Sequence, residues 1–160
     1  MDKKDIIPKT AIHNVIDMAE KIFPMASKID GRGQPGGYLC VVNRWGKNVI
    51  TYLVGDIPIV DQASRFMTRC QNYAEILSSE TVNFNDCAVR DNWGTIFSFY
   101  GFVNDEVNLA VAVALASVLG DDCMPLSLQK KIVEESKNDH VEHLCELVDD
   151  MDLYLKKPLM

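Results

Sequence analysis

One apolar run constrains every fold that this chain can adopt. Leu109–Val118 is interrupted only by Ser117, and it is followed by Gly120 and two aspartates. The run is shorter than the roughly 18–20 apolar residues that a membrane-spanning helix needs, so it predicts a buried helix. Its apolar side chains are spread around the helix axis, and such a helix needs cover on every side. In a chain of 160 residues, a second subunit or the C-terminal helices must supply part of that cover.

Composition indicates a globular protein and disfavours several classes of partner. Hydrophobic residues make up 48% and charged residues 24% of the chain, and its length fits one domain. Sixteen Lys and Arg stand against 23 Asp and Glu, which gives a net charge of −7. The basic residues form only pairs such as Lys3-Lys4. Because an acidic chain repels phosphate groups, we expect no nucleic-acid and no membrane partner.

The cysteines and the amino terminus predict a cytoplasmic protein. The five cysteines are an odd number, are widely spaced and form no CxxC motif, so reduced thiols are the simplest interpretation. The amino-terminal segment MDKKDIIPKT has lysines but no apolar region or cleavage site of a signal peptide.

The densest group of potential metal ligands lies near the C-terminus, at His140, His143, Cys145 and Glu146. The two histidines are three residues apart, so they are neighbours on a helix and could share a divalent metal. No further histidine follows to complete a ligand set. We favour a solvated acidic helix face and predict no metal site.

Hydrophobic periodicity predicts alternating helices and strands. The order predicts an α+β fold in which helices lie on an antiparallel sheet. It also predicts one domain, residues 1–160, with a core at about 10–120 and a helical extension at about 125–157. The predicted helices are 10–26, 60–77 and 106–119, with a helical region at 127–155 whose apolar pattern lapses near 137–139; the predicted strands are 38–43, 48–54 and 93–102, with weaker candidates at 81–84 and 87–91.

Two segments resemble the GlcG/HbpS-like family, whose relatives include the C-terminal domain of PduO-type adenosyltransferases. Tyr38–Pro58, which reads YLCVVNRWGKNVITYLVGDIP, is similar to the family's β-hairpin. Gly94–Ala116 is similar to its last strand and Ala-rich helix. The family's Gly-Val-Ser-Gly tract reads Ser98-Phe99-Tyr100-Gly101 here, so only its final glycine is kept. The element order matches over about residues 10–119.

The resemblance implies a three-layer α–β–α sandwich of a profilin-like kind that assembles into homo-oligomers. Some relatives bind haem or cobalamin-related ligands, and His13 is the residue that matches an axial histidine in the first helix. Imidazole is a common haem-iron ligand. The alternative for His13 is an ordinary helix-surface histidine. Tyr100 and Gly101 are further ligand-binding candidates, because a glycine at a strand end lets backbone approach closely.

We therefore expect an oligomeric small-ligand-binding protein of the GlcG/HbpS type, with haem as the candidate cofactor. The alternative is a non-catalytic interaction or scaffold module that acts through its C-terminal helices. No nucleophile motif or phosphate-binding glycine pattern occurs, so no catalytic residue is predicted and an enzyme is less favoured. The first hypothesis predicts a pocket near His13 and Tyr100. The second predicts an exposed apolar patch on residues 127–155.

Overall fold

The computed structural model describes residues 7–156, with side chains through Met151. The segment MDKKDI, part of the amino terminus used to argue against a signal peptide, lies outside the described residues, as does residue 157 at the end of the predicted extension. The elements are α1 (Lys9–Asp30), β1 (Gly36–Val42), β2 (Asn48–Gly55), α2 (Val60–Ser78), β3 (Ala88–Arg90), β4 (Ile96–Tyr100), α3 (Asp105–Ser117), α4 (Leu126–Ser136) and α5 (Asp139–Lys156).

Four strands form one antiparallel sheet in the order β2-β1-β4-β3. The predicted α+β class, the antiparallel sheet and the β1–β2 hairpin are thereby confirmed. In the centre of the sheet, Tyr38 on β1 lies opposite Leu53 on β2 and Tyr100 on β4.

Helices cover both faces of this sheet, as the alternation along β4 predicts. Phe97 and Phe99 point into the larger core, to which α1 and α3 contribute most of the buried side chains. Ser98 and Tyr100 point to the opposite face, where α2 packs. Each face of the sheet therefore contributes to its own apolar cluster, and the backbone of the sheet separates the two clusters.

Helix α3 is buried along its whole middle, from Val107 through Ala116. It packs on β4, on α1 and on α5. Helix α5 places Val141, Leu144 and Val148 in the same core. The cover that α3 requires thus comes from the C-terminal helices of the same chain. None of the described helices has the length and apolarity needed to span a bilayer.

Helix α1 differs from the prediction at both ends. The predicted first residue is Thr10, whereas α1 begins at Lys9 with Pro8 as its N-cap residue, and no side chain caps the helix. The helix also continues past Pro24 to Asp30, although a proline disfavours the helical conformation of the residue before it. Pro24 is exposed, so its ring faces solvent and does not disturb the core. The helix ends where Gly31 adopts a left-handed conformation, with φ of 76°.

The strand predicted at 93–102 is shorter, because both of its ends are turned away from the sheet. Gly94, with φ of 83°, forms the tight turn between β3 and β4. At the other end, the backbone N–H groups of Gly101 and Phe102 donate to Oδ1 of Asn108 at 3.1 and 2.9 Å. The weak strand predicted at 81–84 is reduced to a single bridge between Phe84 and Val89.

Asn108 fixes the connection between β4 and α3. Its side chain is fully buried, and its Nδ2 donates to the carbonyl of Phe102 at 2.9 Å and to Oδ1 of Asp105 at 3.2 Å. With the two bonds accepted by its oxygen, this one amide serves four polar groups of the loop. A buried polar group is costly to leave without a partner, so the amide holds the strand end and the helix start together.

Replacing Asn108 with Ala is expected to destabilise the fold by about 3 kcal/mol or more, because two buried N–H groups lose their acceptor. Asn104→Ala is the matched control, since it removes one N-cap bond to Glu106 and is expected to cost about 1 kcal/mol. Urea unfolding followed by circular dichroism measures both. Equal losses in the two variants would contradict the role assigned to Asn108.

Candidate functional site

His13 lies on the exposed side of α1. The neighbouring positions Val15 and Met18 point into the core, so the imidazole points away from it. The structure thus places His13 as a helix-surface histidine.

Tyr100 is 9% exposed and is held by its neighbours on α2. Its hydroxyl accepts a hydrogen bond from Nη1 of Arg69 at 2.6 Å. Its ring packs edge-on against Phe66, with centroids 5.1 Å apart, and stacks on Tyr73 at 6.4 Å. The same Arg69 guanidinium lies 5.4 Å from the ring centroid. The ring and the hydroxyl of Tyr100 are therefore engaged in packing α2 on the sheet.

Gly101 allows two backbone segments to approach closely, as its residue type suggests. A Cβ added there would lie 2.8 Å from Cα of Gly37. The glycine therefore serves chain packing at the strand end, and its N–H is already taken by Asn108.

The structure does not bring His13 and Tyr100 together. His13 is on α1, which packs on one face of the sheet, whereas Tyr100 belongs to the cluster on the other face. Within one chain, the sheet therefore lies between His13 and Tyr100.

An open cavity lies between α4 and α5. It is a groove of about 270 Å³, lined by side chains on the facing stripes of the two helices. Its apolar residues include Leu126, which is 62% exposed, Val133 and Cys145. Spacings of three, four and seven residues place one stripe on each helix. The lining residues are Leu126, Gln129, Lys130, Val133, Glu134, Glu142, Cys145, Glu146 and Asp149.

Acidic side chains form part of the same lining. Four of the lining residues are acidic, namely Glu134, Glu142, Glu146 and Asp149, against one lysine. Burial raises the pKa of the Cys145 thiol to about 12, and the charges of Asp149 and Glu146 raise it further in the same direction. The thiol therefore stays protonated at neutral pH and behaves as a small apolar group.

The C-terminal group of potential metal ligands is divided by the helix geometry. Cys145 is buried against the core, whereas His143 and Glu146 are exposed. Within residues 7–151, no three His, Cys, Asp or Glu side chains are arranged to hold a metal ion.

A short turn positions α4 against α5. Lys137 adopts a left-handed conformation, with φ of 55°, and its N–H donates to the carbonyl of Val133. The next residue, Asn138, accepts from the N–H of His140 and donates from Nδ2 to the carbonyl of Glu106 at 2.7 Å. These bonds anchor the helix pair to the start of α3.

The loop that leads into α4 contacts the turn between β3 and β4. The N–H of Asn92 donates to the carbonyl of Cys123 at 2.8 Å, which ties the turn to the loop before α4. Asp91 in this turn is 4% exposed, and its Oδ1 accepts from the N–H groups of Trp93 and Thr95 at 2.9 and 3.0 Å. Its Oδ2 is buried without a hydrogen-bond partner among the described residues.

The sequence predicts some of the residues in this groove as members of a helical apolar pattern, but it does not predict the groove itself. Val133 and Cys145 belong to the apolar pattern of the C-terminal region, but Leu126 precedes the predicted start at residue 127. The spacing of Glu142, Glu146 and Asp149 at i, i+4 and i+7 was the available signal for an acidic stripe beside Cys145.

Comparison with known proteins adds no assignment. No family model, no curated protein and no solved structure matches this chain.

The titration of Asp91 gives a pH prediction. Burial raises the pKa of its carboxyl to about 6, so the folded state binds the proton more tightly than the unfolded chain. The protonated Asp91 carboxyl therefore adds to the free energy of unfolding at low pH, and this stabilisation is lost as pH rises through about 6. Asp91→Asn keeps the acceptor oxygen and removes the charge. The variant is expected to gain about 1–2 kcal/mol over the wild-type protein at pH 7 and to lose that advantage near pH 4.

Urea unfolding at several pH values measures this difference. Asp121→Asn is the control, because Asp121 is exposed and lies just before the same loop contact. A stability difference between the wild type and Asp91→Asn that is the same at pH 4 and pH 7 would show that Asp91 does not titrate as described.

Proposed function

We propose that this protein is a non-catalytic interaction module that binds a basic, amphipathic helical segment of a partner protein between α4 and α5. The observation that carries the proposal is the groove whose lining combines apolar and acidic side chains. Amphipathic helices are recognised by such grooves through apolar side chains spaced three or four residues apart.

The apolar contribution comes mainly from Leu126 and Val133. Leu126 is largely exposed at the first position of α4. A large apolar side chain beside a concave surface favours a partner that removes it from water. Helix α4 has 11 residues and is about 16 Å long, so it matches about three turns of a partner helix.

The charge of the groove selects the partner's chemistry. The lining has four acidic side chains and one basic side chain, Lys130. The acidic residues are Glu134 on α4 and Glu142, Glu146 and Asp149 on α5. Complementary potentials favour encounter with a basic segment and disfavour an acidic one. The partner is therefore expected to carry Lys or Arg beside its apolar anchors.

The GlcG/HbpS resemblance, the profilin-like relationship and haem binding through His13 remain predictions. The element order and the antiparallel sheet are compatible with an α–β sandwich. The geometry does not favour a tetrapyrrole site at His13, since this residue is exposed and the sheet lies between it and Tyr100.

A designed peptide of leucines and lysines, about 14 residues long, tests the proposal as a fluorescent probe. We expect saturable binding by fluorescence anisotropy, weakened at high salt because exposed charges are screened. Glu142→Lys/Glu146→Lys is expected to weaken binding at least about tenfold, since attraction becomes repulsion. Leu126→Asp is expected to have a similar effect through the apolar contact.

Glu75→Lys/Glu80→Lys is the matched control. It changes the net charge by the same amount at exposed positions on and just after α2. Three results would contradict the proposal: no binding, equal weakening by the control, or equal affinity for a peptide with glutamates in place of the lysines. The control therefore separates groove binding from attraction to the whole acidic chain.

A further inference from the structure

We propose that two copies of this chain form a two-fold symmetric dimer in which β2 of one copy pairs antiparallel with β2 of the other. The two four-stranded sheets would then continue as one sheet of eight strands. This surface is separate from the α4–α5 groove and does not depend on the proposed function.

Strand β2 is an edge of the sheet. It pairs with β1 on one side, and within the part of the chain that the structure describes no strand lies on its other side. An edge strand presents backbone N–H and C=O groups that can pair with another chain. The register with β1 shifts between Ile50 and Asn48, which leaves Val49 of β2 as an extra, bulged residue. From Ile50 to Gly55 the register is regular.

The composition of β2 offers no charge and no proline against edge pairing. Its eight residues, Asn48–Gly55, include no charged side chain and no proline. Native edge strands usually avoid self-pairing through charges, prolines, bulges or short length. The opposite edge follows this rule, since β3 has only three residues and ends in Arg90. Beyond the bulge at Val49, the open edge of β2 is thus regular over six residues and uncharged.

Apolar side chains lie beside this edge on the face that α2 only partly covers. Helix α2 packs over β1, β4 and β3. Leu53, opposite Tyr38 on that face, is partly exposed. Just after β2, Ile59 and Val60 are 61% and 80% exposed. A second sheet edge placed here would remove part of this apolar area from water.

Charge complementarity identifies the occupant as a second copy of the chain. Lys47 immediately precedes β2 and Asp56 immediately follows it, and both are exposed. Antiparallel pairing places the start of one strand beside the end of the other. Each Lys47 then lies near Asp56 of the second copy, and the two-fold axis repeats this pair. The net charge of −7 makes two copies of the chain repel each other. The uncharged edge of β2 is a surface at which two copies can approach closely.

Sedimentation velocity over roughly 1–200 µM protein tests the proposal. We expect a reversible monomer–dimer equilibrium for the wild-type chain. Leu53→Lys is expected to weaken the dimer at least about tenfold, because it places like charges on both sides of the axis. Val82→Lys is the matched control, since Val82 is also partly exposed but lies outside the sheet, and it is expected to leave the dimer intact.

A charge exchange at the strand ends keeps the test independent of folding effects. Lys47→Glu and Asp56→Lys are each expected to weaken the dimer several-fold, and the double variant is expected to restore it. The proposal would be overturned by a chain that stays monomeric throughout the range, or by a dimer indifferent to Leu53→Lys. It would also be overturned by a double variant weaker than both single variants. A dimer lost in Leu126→Asp but kept in Leu53→Lys would assign self-association to the groove instead.

Discussion

Burial of α3 on every side is the constraint on which the other elements depend. A helix whose middle is apolar around its whole circumference cannot lie on the surface of a sheet with one side in water. Strand β4 covers one side, α1 another, and α5 the side that faces away from the sheet. The fully buried Asn108 then fixes where the helix begins, because its amide joins β4 to α3.

This arrangement determines which surfaces remain for interaction. Because α5 is used to cover α3, its outer side can accept α4 and form the acidic groove between them. Because α2 packs over the other three strands, β2 keeps an open edge and a partly covered face. The two proposed contact surfaces thus follow from how two helices are used to complete the core.

The helices and the hairpin were predictable from local sequence because periodicity and turn residues report directly on local structure. Residues 60–77 and the predicted break near 137–139 agree closely with α2 and with the turn between α4 and α5. The length of α1 was not predictable in this way, since a proline is tolerated in a helix when its ring faces solvent. That Pro24 is exposed depends on tertiary packing.

The site was less predictable than the fold, since a site joins residues from distant parts of the chain. The local sequence pattern does not indicate which face of the sheet α1 packs on. It therefore could not predict that His13 and Tyr100 lie on opposite sides of the sheet. The alternation of side chains along β4 predicts that Tyr100 lies on one face of the sheet and Phe97 and Phe99 on the other. The hydrogen-bond partner of Tyr100, Arg69, comes from α2 and is distant in sequence, so it was not predictable. The groove needs the left-handed turn at Lys137, which no local propensity favours for a lysine.

Native-state hydrogen exchange tests the central claim most directly, because it reports the opening free energy of each helix separately. If α5 completes the core around α3, the amides of α3 and of the middle of α5 exchange only through global unfolding. Their protection then falls together as denaturant is added. Rapid exchange in α5 while α3 stays fully protected would contradict the account, because α3 would then not need α5 as its cover.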